Sequence, residues 1–236
     1  MESFAGNKAR AWATVLLLAT GLAGATAAQA ALLGRDLNGS PVTFEAYYDD
    51  QLNITWVKDA SLCVTLGNCV NQDDSIVTGG MTWDDANTWA ANLVYGGYSD
   101  WRLATINLTS PTTTAHDCSD QDAAACKASG NELGYMYYIN LGGNFGDDKT
   151  GNQTVGSVTL ENIQPVYWSG TEFDSLNAWF FVFRNGVQGR GDEDFPLAAW
   201  AVRSGDVAAA PEPASLLLIG AGMLGLGWSR RRGRRR

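Results

Sequence analysis

The chain has 236 residues, of which 45% are hydrophobic and 17% charged, so it can bury a core and is not a wholly disordered chain. Its length suits one domain with appendages. The formal net charge is −9, but residues 31–210 hold eight basic and 23 acidic residues, a net charge of −15. A body this acidic repels phosphate backbones, which excludes nucleic acid as a partner. The single histidine also argues against metal sites built from several histidines.

The first thirty residues have the three parts of a secretory signal. Lys8 and Arg10 precede an apolar run over residues 12–28, and small residues stand at Ala28 and Ala30. This pattern predicts a signal peptide over residues 1–30 that is cleaved after Ala30, with an uncleaved anchor helix as the alternative. The sequence therefore predicts export across the inner membrane by the secretion machinery.

Two helices are predicted in the body of the chain, residues 31–210. Thr82 can cap a helix over residues 82–94, whose apolar side chains recur on one face. A second helix is predicted to start at Ser129, where Glu132 stands three residues later and completes a capping box. Pairs of glycines follow both segments and are expected to end them.

The rest of the body is predicted to form a twisted antiparallel sheet, so that residues 31–210 make one α+β domain. The pair Asn185-Gly186 is typical of a two-residue hairpin turn. Most tryptophans fall at inward positions and are assigned to the core rather than to stacking on sugars. The predicted strands cover residues 42–48, 54–57, 166–171, 178–184 and 198–203.

Four cysteines in an exported body favour disulfide bonds. Cys63 and Cys69 enclose five residues, and Cys118 and Cys126 enclose seven. Three pairings are possible, and the two local ones are favoured because each pair lies in its own polar loop. Four free thiols on zinc are the alternative, although the sequence has no Cys-x-x-Cys spacing.

Several motifs together resemble a known family. They are Tyr-Asp-Asp (48–50) with Ile-Thr-Trp (54–56), Met-Thr-Trp (81–83), Tyr-Gly-Gly-Tyr-Ser-Asp-Trp-Arg-Leu-Ala-Thr (95–105), Tyr-Trp-Ser-Gly-Thr-Glu (167–172) and Ala-Trp-Ala-Val-Arg (199–203). In this order they resemble the DUF1566 family, also called the Lcl C-terminal domain. The resemblance implies a C-type-lectin-like fold with two helices and a twisted antiparallel sheet. Ala104 stands where the family has proline, and residues 106–130 look like an insertion.

The resemblance also directs attention to the segment after the hairpin turn, where lectin-like folds carry ligand loops. The contact face is predicted to be the loops over residues 143–165 and 186–196. Carboxylates are hard oxygen ligands, so Asp192, Glu193 and Asp194 form a candidate calcium site, with a solvated acidic surface as the alternative because no EF-hand spacing is present. No other cofactor is expected. The predicted ligand-binding residues are Arg184, Asn185, Asp192, Glu193 and Asp194.

Two arginines inside the family motifs are predicted to have structural roles. Arg102 and Arg203 are expected to pair with buried carboxylates such as Asp100 or Glu172 rather than to contact a ligand.

The end of the chain resembles the PEP-CTERM sorting signal of Gram-negative bacteria. Pro211, Glu212 and Pro213 precede an apolar segment over residues 214–228 and six arginines in the last seven positions. Fifteen helical residues span roughly 22 Å, which suits a transient membrane helix whose arginines stay in the cytoplasm. The resemblance implies that a membrane-embedded exosortase recognises residues 211–236 and cleaves near the proline triplet.

The sequence as a whole predicts a protein that is anchored in the membrane before processing and then lies at the cell surface or outside the cell. Its expected task is non-enzymatic binding of polysaccharide or another envelope component. One alternative is an enzyme acting on envelope glycans through paired carboxylates such as Glu172 and Asp174. The other is a structural protein of the biofilm matrix with no discrete ligand.

Overall fold

The computed structural model describes residues 32–40, 43–106 and 118–207. Within these residues the chain forms ten strands in three sheets and four short α-helices, none of which is long and apolar enough to cross a membrane. The strands are β1 (Leu32–Arg35), β2 (Ala46–Asp49), β3 (Ile54–Val57), β4 (Arg102–Leu103), β5 (Gly151–Val155), β6 (Val158–Ile163), β7 (Val166–Asp174), β8 (Asn177–Val182), β9 (Val187–Asp192) and β10 (Ala201–Ser204). The helices are α1 (Leu62–Leu66), α2 (Trp83–Asn92), α3 (Ala123–Ser129) and α4 (Glu132–Gly134), and a π-helical segment (Tyr135–Asn140) follows α4.

The largest sheet has five antiparallel strands in the order β1-β2-β3-β10-β4. Strand β10 pairs with β3 on one side and with β4 on the other. Its Val202 lies opposite Trp56, which lies opposite Tyr47, and all three side chains are buried in the larger of two hydrophobic clusters. Because side chains alternate along a strand, Val57 and Ala201 face the second cluster instead.

A three-stranded antiparallel sheet, β7-β8-β9, contributes to both clusters. Tyr167 and Phe181 lie opposite each other and belong to the larger cluster, whereas Trp168 and Phe180 lie opposite each other and pack in the second. Strand β8 and the start of β7 therefore carry apolar residues on both faces, whereas β9 is mostly polar and glycine.

A two-stranded hairpin, β5-β6, occupies most of the segment that the sequence predicts to be a contact loop over residues 143–165. In β6 the side chains of Val158, Leu160 and Ile163 are buried, while Thr159 and Glu161 are partly exposed. This alternation is a strand signal in the sequence. Strand β5 has only polar residues and glycine before its final valine, so only one strand of the hairpin carries the signal.

The first predicted helix is present in shortened form. Helix α2 begins after Thr82, whose side-chain oxygen accepts the backbone N–H of Asp85 at 3.3 Å. It ends at Asn92 rather than at residue 94 because Leu93 has an extended backbone and turns its side chain into the core.

The second predicted helix is wrong as a single element. Ser129 ends helix α3 instead of capping a helix, and Gly130 follows with a φ of 70°. Asn131 then caps the short α4 through its side-chain oxygen, which accepts the N–H of Gly134 at 2.7 Å. Glu132 does not complete a capping box, because its carboxylate binds Arg102 of strand β4. A residue thirty positions away therefore overrides the local signal.

The predicted C-type-lectin-like fold is also wrong. Instead of two helices and one twisted sheet, the described residues form three separate sheets with helices of at most ten residues. The architecture is mostly β. The physical reason is that the strands around both clusters bury the aromatic side chains, so a pair of long helices is not needed to cover the core.

Both favoured disulfide bonds are confirmed. Cys63 is bonded to Cys69 and Cys118 to Cys126, and the described residues contain no free cysteine. The first bond joins the start of helix α1 to the loop that follows the helix. The second joins helix α3 to the turn before it.

The hairpin between β8 and β9 is present, but its predicted two-residue turn is wrong. The loop has four residues, 183–186, because Phe183 turns into the larger cluster and leaves β8. The first predicted strand is shorter as well, since β2 begins only at Ala46. Five tryptophans are buried, as expected for most of them: Trp89, Trp101, Trp168, Trp179 and Trp200. Trp83 is only half-buried.

A buried carboxyl lies at the end of β2. The side chain of Asp49 is fully buried, and its two oxygens accept hydrogen bonds from the backbone N–H groups of Gln51 and Leu52 and from the Asn140 amide, the last at 2.7 Å. The other side-chain atom of that amide, Asn140 Oδ1, has no partner among the described residues. Burial raises the pKa of Asp49 despite these hydrogen bonds.

We expect Asp49→Asn to raise the free energy of unfolding at pH 7 by about 1 kcal/mol. Because the pKa of Asp49 is higher in the folded chain, the folded state binds the proton more tightly. The stabilisation from this proton is therefore complete below the unfolded pKa of about 3.9 and is lost as the pH rises through the folded pKa. A neutral asparagine removes this loss, and a flipped Asn140 can accept its N–H.

Urea unfolding between about pH 3 and pH 7 measures this effect. The variant should show the larger gain at pH 7, and the exposed neighbour Asp50 supplies the control Asp50→Asn. A loss of stability at pH 7 in Asp49→Asn would show instead that the ionised carboxylate is favoured.

Candidate functional site

The structure divides the predicted ligand-binding residues between two places. Arg184 and Asn185 lie in the turn before β9, whereas Asp192 ends β9 and Glu193 and Asp194 follow it. Six extended residues separate the two groups by roughly 20 Å. These residues therefore do not surround one small ligand.

The residues in the hairpin turn mainly stabilise the turn itself. The side-chain oxygen of Asn185 accepts the N–H of Val187 at 3.1 Å, and its carbonyl accepts the N–H of Gly146 at 2.8 Å. Arg184 is exposed. The pKa of the nearby Asp148 is lowered first by hydrogen bonds from Thr150 and then by the charge of Arg184.

The acidic turn after β9 is held by its own backbone. Asp192 accepts the N–H of Asp194 at 3.0 Å, and the carbonyl of Glu193 accepts the N–H of Trp83 at 2.8 Å. No group of three or more His, Cys, Asp or Glu side chains in the described ranges is placed to hold a metal ion. Calcium at Asp192, Glu193 and Asp194 stays a prediction.

One carboxyl in this turn is unusual. Oε1 of Glu193 is buried without a hydrogen-bond partner among the described residues. The burial of this group raises its pKa, and the negative charges of Glu172, Asp84, Asp174 and Asp192 raise it further. Hydrogen bonds from Asn177 and Leu176 lower the pKa of Asp174. The predicted pair Glu172 and Asp174 thus lies near a third carboxyl, that of Glu193, whose pKa is higher than that of a free glutamate.

A pocket lies at a different place, where β2 begins and β3 ends. It has a volume of about 340 Å³ and is open to solvent. Its apolar wall includes the rings of Phe44 and Tyr95 and the side chains of Leu62 and Leu66 of helix α1. Its polar groups are Glu45, Lys58, Asp59 and Glu161, with threonines at the rim.

The backbone explains how these residues come together. Glu45 precedes β2 and Lys58 follows β3, and the N–H of Lys58 donates to the carbonyl of Glu45 at 3.0 Å. An isolated parallel bridge joins Asp59 to Glu161 of β6. The Cys63–Cys69 disulfide holds helix α1 beside them. Backbone pairing therefore positions Glu45, Lys58, Asp59 and Glu161, whereas Phe44 lies in the irregular segment before β2.

The aromatic ring at the pocket rim depends on a glycine. Phe44 is 45% exposed, and its ring lies against Gly34 of β1, where a Cβ atom would stand 2.4 Å from the ring. Only glycine leaves room for the ring here. Phe44 also makes an edge contact with Tyr47, at 6.5 Å between ring centres.

Sequence reasoning missed this pocket. The only local signal is the pair Lys58-Asp59 directly after a buried strand. Glu161 lies about a hundred residues further along the chain, and Tyr95 follows helix α2, so neither can be assigned to the pocket without the pairing of β6 with the segment after β3.

One of the two arginines in the family motifs pairs with a predicted carboxylate, and the other pairs with a different one. Arg203 binds Asp100 through two hydrogen bonds of 2.8 Å and stacks over Tyr98. Arg102 binds Glu132 rather than Asp100 or Glu172. Both arginines pair with a carboxylate, as predicted, although Asp100 is exposed rather than buried.

These features define a disulfide-bonded, mostly β domain with a mixed aromatic and charged surface pocket. The chain belongs to the Lcl C-terminal domain family, whose model matches residues 45–203. The model of the PEP-CTERM protein-sorting motif matches residues 209–232, which confirms the sorting signal. No curated protein matches the chain.

The sorting motif identifies an exported surface or extracellular protein that an exosortase recognises and processes. The predicted cleavage points at Ala30 and near Pro211, Glu212 and Pro213, like the predicted membrane helix over residues 214–228, lie outside the described residues.

Proposed function

We propose that this exported protein binds surface polysaccharide, without catalysis, and that the pocket around Lys58 and Glu161 is the binding site. The observation that carries the proposal is the composition of the pocket. Aromatic rings and aliphatic side chains line it together with a small number of charged groups. Sugar rings have an apolar face and a rim of hydroxyl groups, so they suit such a pocket.

The location after sorting supports the same ligand class. A protein that an exosortase processes reaches the cell surface or the space outside it, where polysaccharide is an accessible ligand. The pocket is open to solvent and can receive one unit of a long chain, and part of its wall is held by the bridge between Asp59 and Glu161 and by the Cys63–Cys69 disulfide bond. A preformed site loses little conformational entropy on binding.

Two exposed phenylalanines allow a matched test. Phe44 is 45% exposed at the pocket, and Phe195 is 50% exposed beside the acidic turn that the sequence predicts to bind ligand. We expect Phe44→Ala to weaken binding to the best polysaccharide on a glycan array by about tenfold or more, and Phe195→Ala to leave it unchanged.

The reverse result would place the site at the acidic turn and contradict the pocket. Absence of binding by the parent protein to any glycan would contradict the binding function and favour a matrix protein with no discrete ligand. Far-ultraviolet circular dichroism of both variants confirms that each is folded.

An enzyme is the second candidate, and one observation favours it. Burial and the negative charge of nearby Glu172 raise the pKa of Glu193, and a raised pKa is one property of the general acid in glycoside hydrolysis. A reducing-sugar release assay on the bound polysaccharide separates the two functions. Turnover that is abolished by both Glu172→Gln and Glu193→Gln would replace the binding proposal.

A further inference from the structure

The charges around the pocket are unequal. Three carboxylates, those of Glu45, Asp59 and Glu161, line it, whereas Lys58 is its one cationic group. The body as a whole has a net charge of −15 over residues 31–210. A ligand that enters this pocket therefore meets a negative local field on a negative protein.

Two of the three carboxylates, Glu45 and Asp59, accept hydrogen bonds from neighbouring residues of the protein. The carboxylate of Glu45 accepts hydrogen bonds from Leu37 N, Asn38 Nδ2 and Thr43 Oγ1. Asp59 accepts from the N–H of Ser61, and it also binds the side chains of Asn162 and Thr65. Their oxygens face protein donors, so these groups contribute charge to the pocket rather than free acceptors.

The ion pair between Lys58 and Glu161 is different because it stays accessible. Lys58 Nζ lies 2.6 Å from Glu161 Oε1, and the two side chains are 26% and 38% exposed. An ammonium group has three N–H donors and a carboxylate has two oxygens, so the pair retains donors on one partner and a second oxygen on the other. A donor and an acceptor this close match two neighbouring hydroxyl groups of a sugar ring.

Tyr95 lines the same pocket as the three carboxylates. Burial raises the pKa of Tyr95, and the charges of Glu45, Asp59 and Glu161 raise it further. All three carboxylates thus act on this neighbouring group. An anionic substituent at this position would be repelled in the same way.

We propose that the pocket selects an uncharged hexose unit and rejects uronic and sulfated sugars. Resting on the polysaccharide binding proposed above, the inference assigns a role to each side of the pocket. Lys58 donates to one ring hydroxyl and Glu161 accepts from its neighbour. Phe44 and Leu66 cover the apolar face of the ring, and Glu45 and Asp59 exclude anions.

The test uses the full exported protein and oligosaccharides of equal length that are neutral, uronic or sulfated. We expect neutral oligosaccharides to bind at least about tenfold more tightly than either acidic class at low salt. Raising the salt from about 50 mM to about 500 mM should change neutral binding little, since no net charge is neutralised, and should reduce the discrimination.

Two variants examine the ion pair. Lys58→Met removes the donor and should weaken neutral binding by about tenfold. Glu161→Gln keeps an acceptor but removes one negative charge, so neutral binding should persist while binding of uronic oligosaccharides rises by about threefold or more. The partial exposure of both side chains favours folding of the variants, and thermal melting verifies it.

Tightest binding to an acidic oligosaccharide, with that binding lost in Phe44→Ala, would overturn the selectivity and leave the proposed function intact. Binding of neutral oligosaccharides that Lys58→Met leaves unchanged would also overturn it. Absence of Phe44-dependent binding to every sugar would overturn the proposed function itself.

Discussion

Replacing Trp200 by alanine is expected to lower the free energy of unfolding by about 3–5 kcal/mol. Trp200 is buried between β10 and the aromatic residues of the larger cluster, with its ring centre 5.0 Å from that of Trp56 and 5.5 Å from that of Tyr167. Its Nε1–H donates to the carbonyl of Val57 at 2.8 Å. The substitution leaves both a cavity and an unpaired buried carbonyl.

This carbonyl belongs to the residue before Lys58, so the effect should reach the pocket. Urea unfolding followed by far-ultraviolet circular dichroism measures the loss of stability, with the disulfide bonds intact. Trp200→Phe fills most of the cavity but has no N–H to donate to the Val57 carbonyl. It should therefore lower the free energy of unfolding by about 1–2 kcal/mol more than the loss of side-chain volume alone. A loss below about 1 kcal/mol in Trp200→Ala would contradict the assignment of Trp200 to the centre of the core.

The second large loss of stability is expected when the ion pair between Arg102 and Glu132 is broken. We expect Arg102→Ala to destabilise the fold by about 2 kcal/mol, less than a fully buried pair because the arginine is partly exposed. The two side chains form a bidentate pair, with Nη1–Oε2 at 2.7 Å and Nη2–Oε1 at 2.8 Å. Glu132 is 13% exposed and also accepts the N–H of Thr105 at 2.7 Å. Loss of the arginine leaves this carboxylate without its counter-charge.

A double-mutant cycle isolates the pair. Arg102→Ala with Glu132→Gln should be less destabilising than the sum of the two single changes, because the uncompensated charge is then absent. Arg102→Lys keeps the charge but not the fork geometry and should recover part of the loss. Strict additivity of the two single variants would show that the pair does not couple β4 to helix α4.

Local sequence signals succeeded where they depended on neighbours along the chain. The cap of helix α2 by Thr82, strand β3 and the two short-range disulfide bonds all rest on groups within a few residues of each other. The sorting signal is of the same kind, since it is a contiguous motif. Proximity in sequence is proximity in space for such features.

Predictions failed where a distant partner competed with the local signal. Glu132 pairs with Arg102 instead of completing a capping box with Ser129. Phe183 is buried in the larger cluster, so the turn at Asn185 and Gly186 has four residues instead of two. The predicted ligand-binding residues lie at opposite ends of β9, and their role in binding stays a prediction.

The sequence alone determined the family and the sorting signal, because both are carried by contiguous motifs. It favoured the two short-range disulfide bonds, which the structure then showed. The mostly β architecture and the pocket were decided only by the tertiary structure. Strands of all three sheets contribute buried side chains to the two hydrophobic clusters, which favours three sheets over a pair of helices. Pairing of β6 with the segment after β3 then brings Glu161 to Lys58, a contact that no local preference encodes.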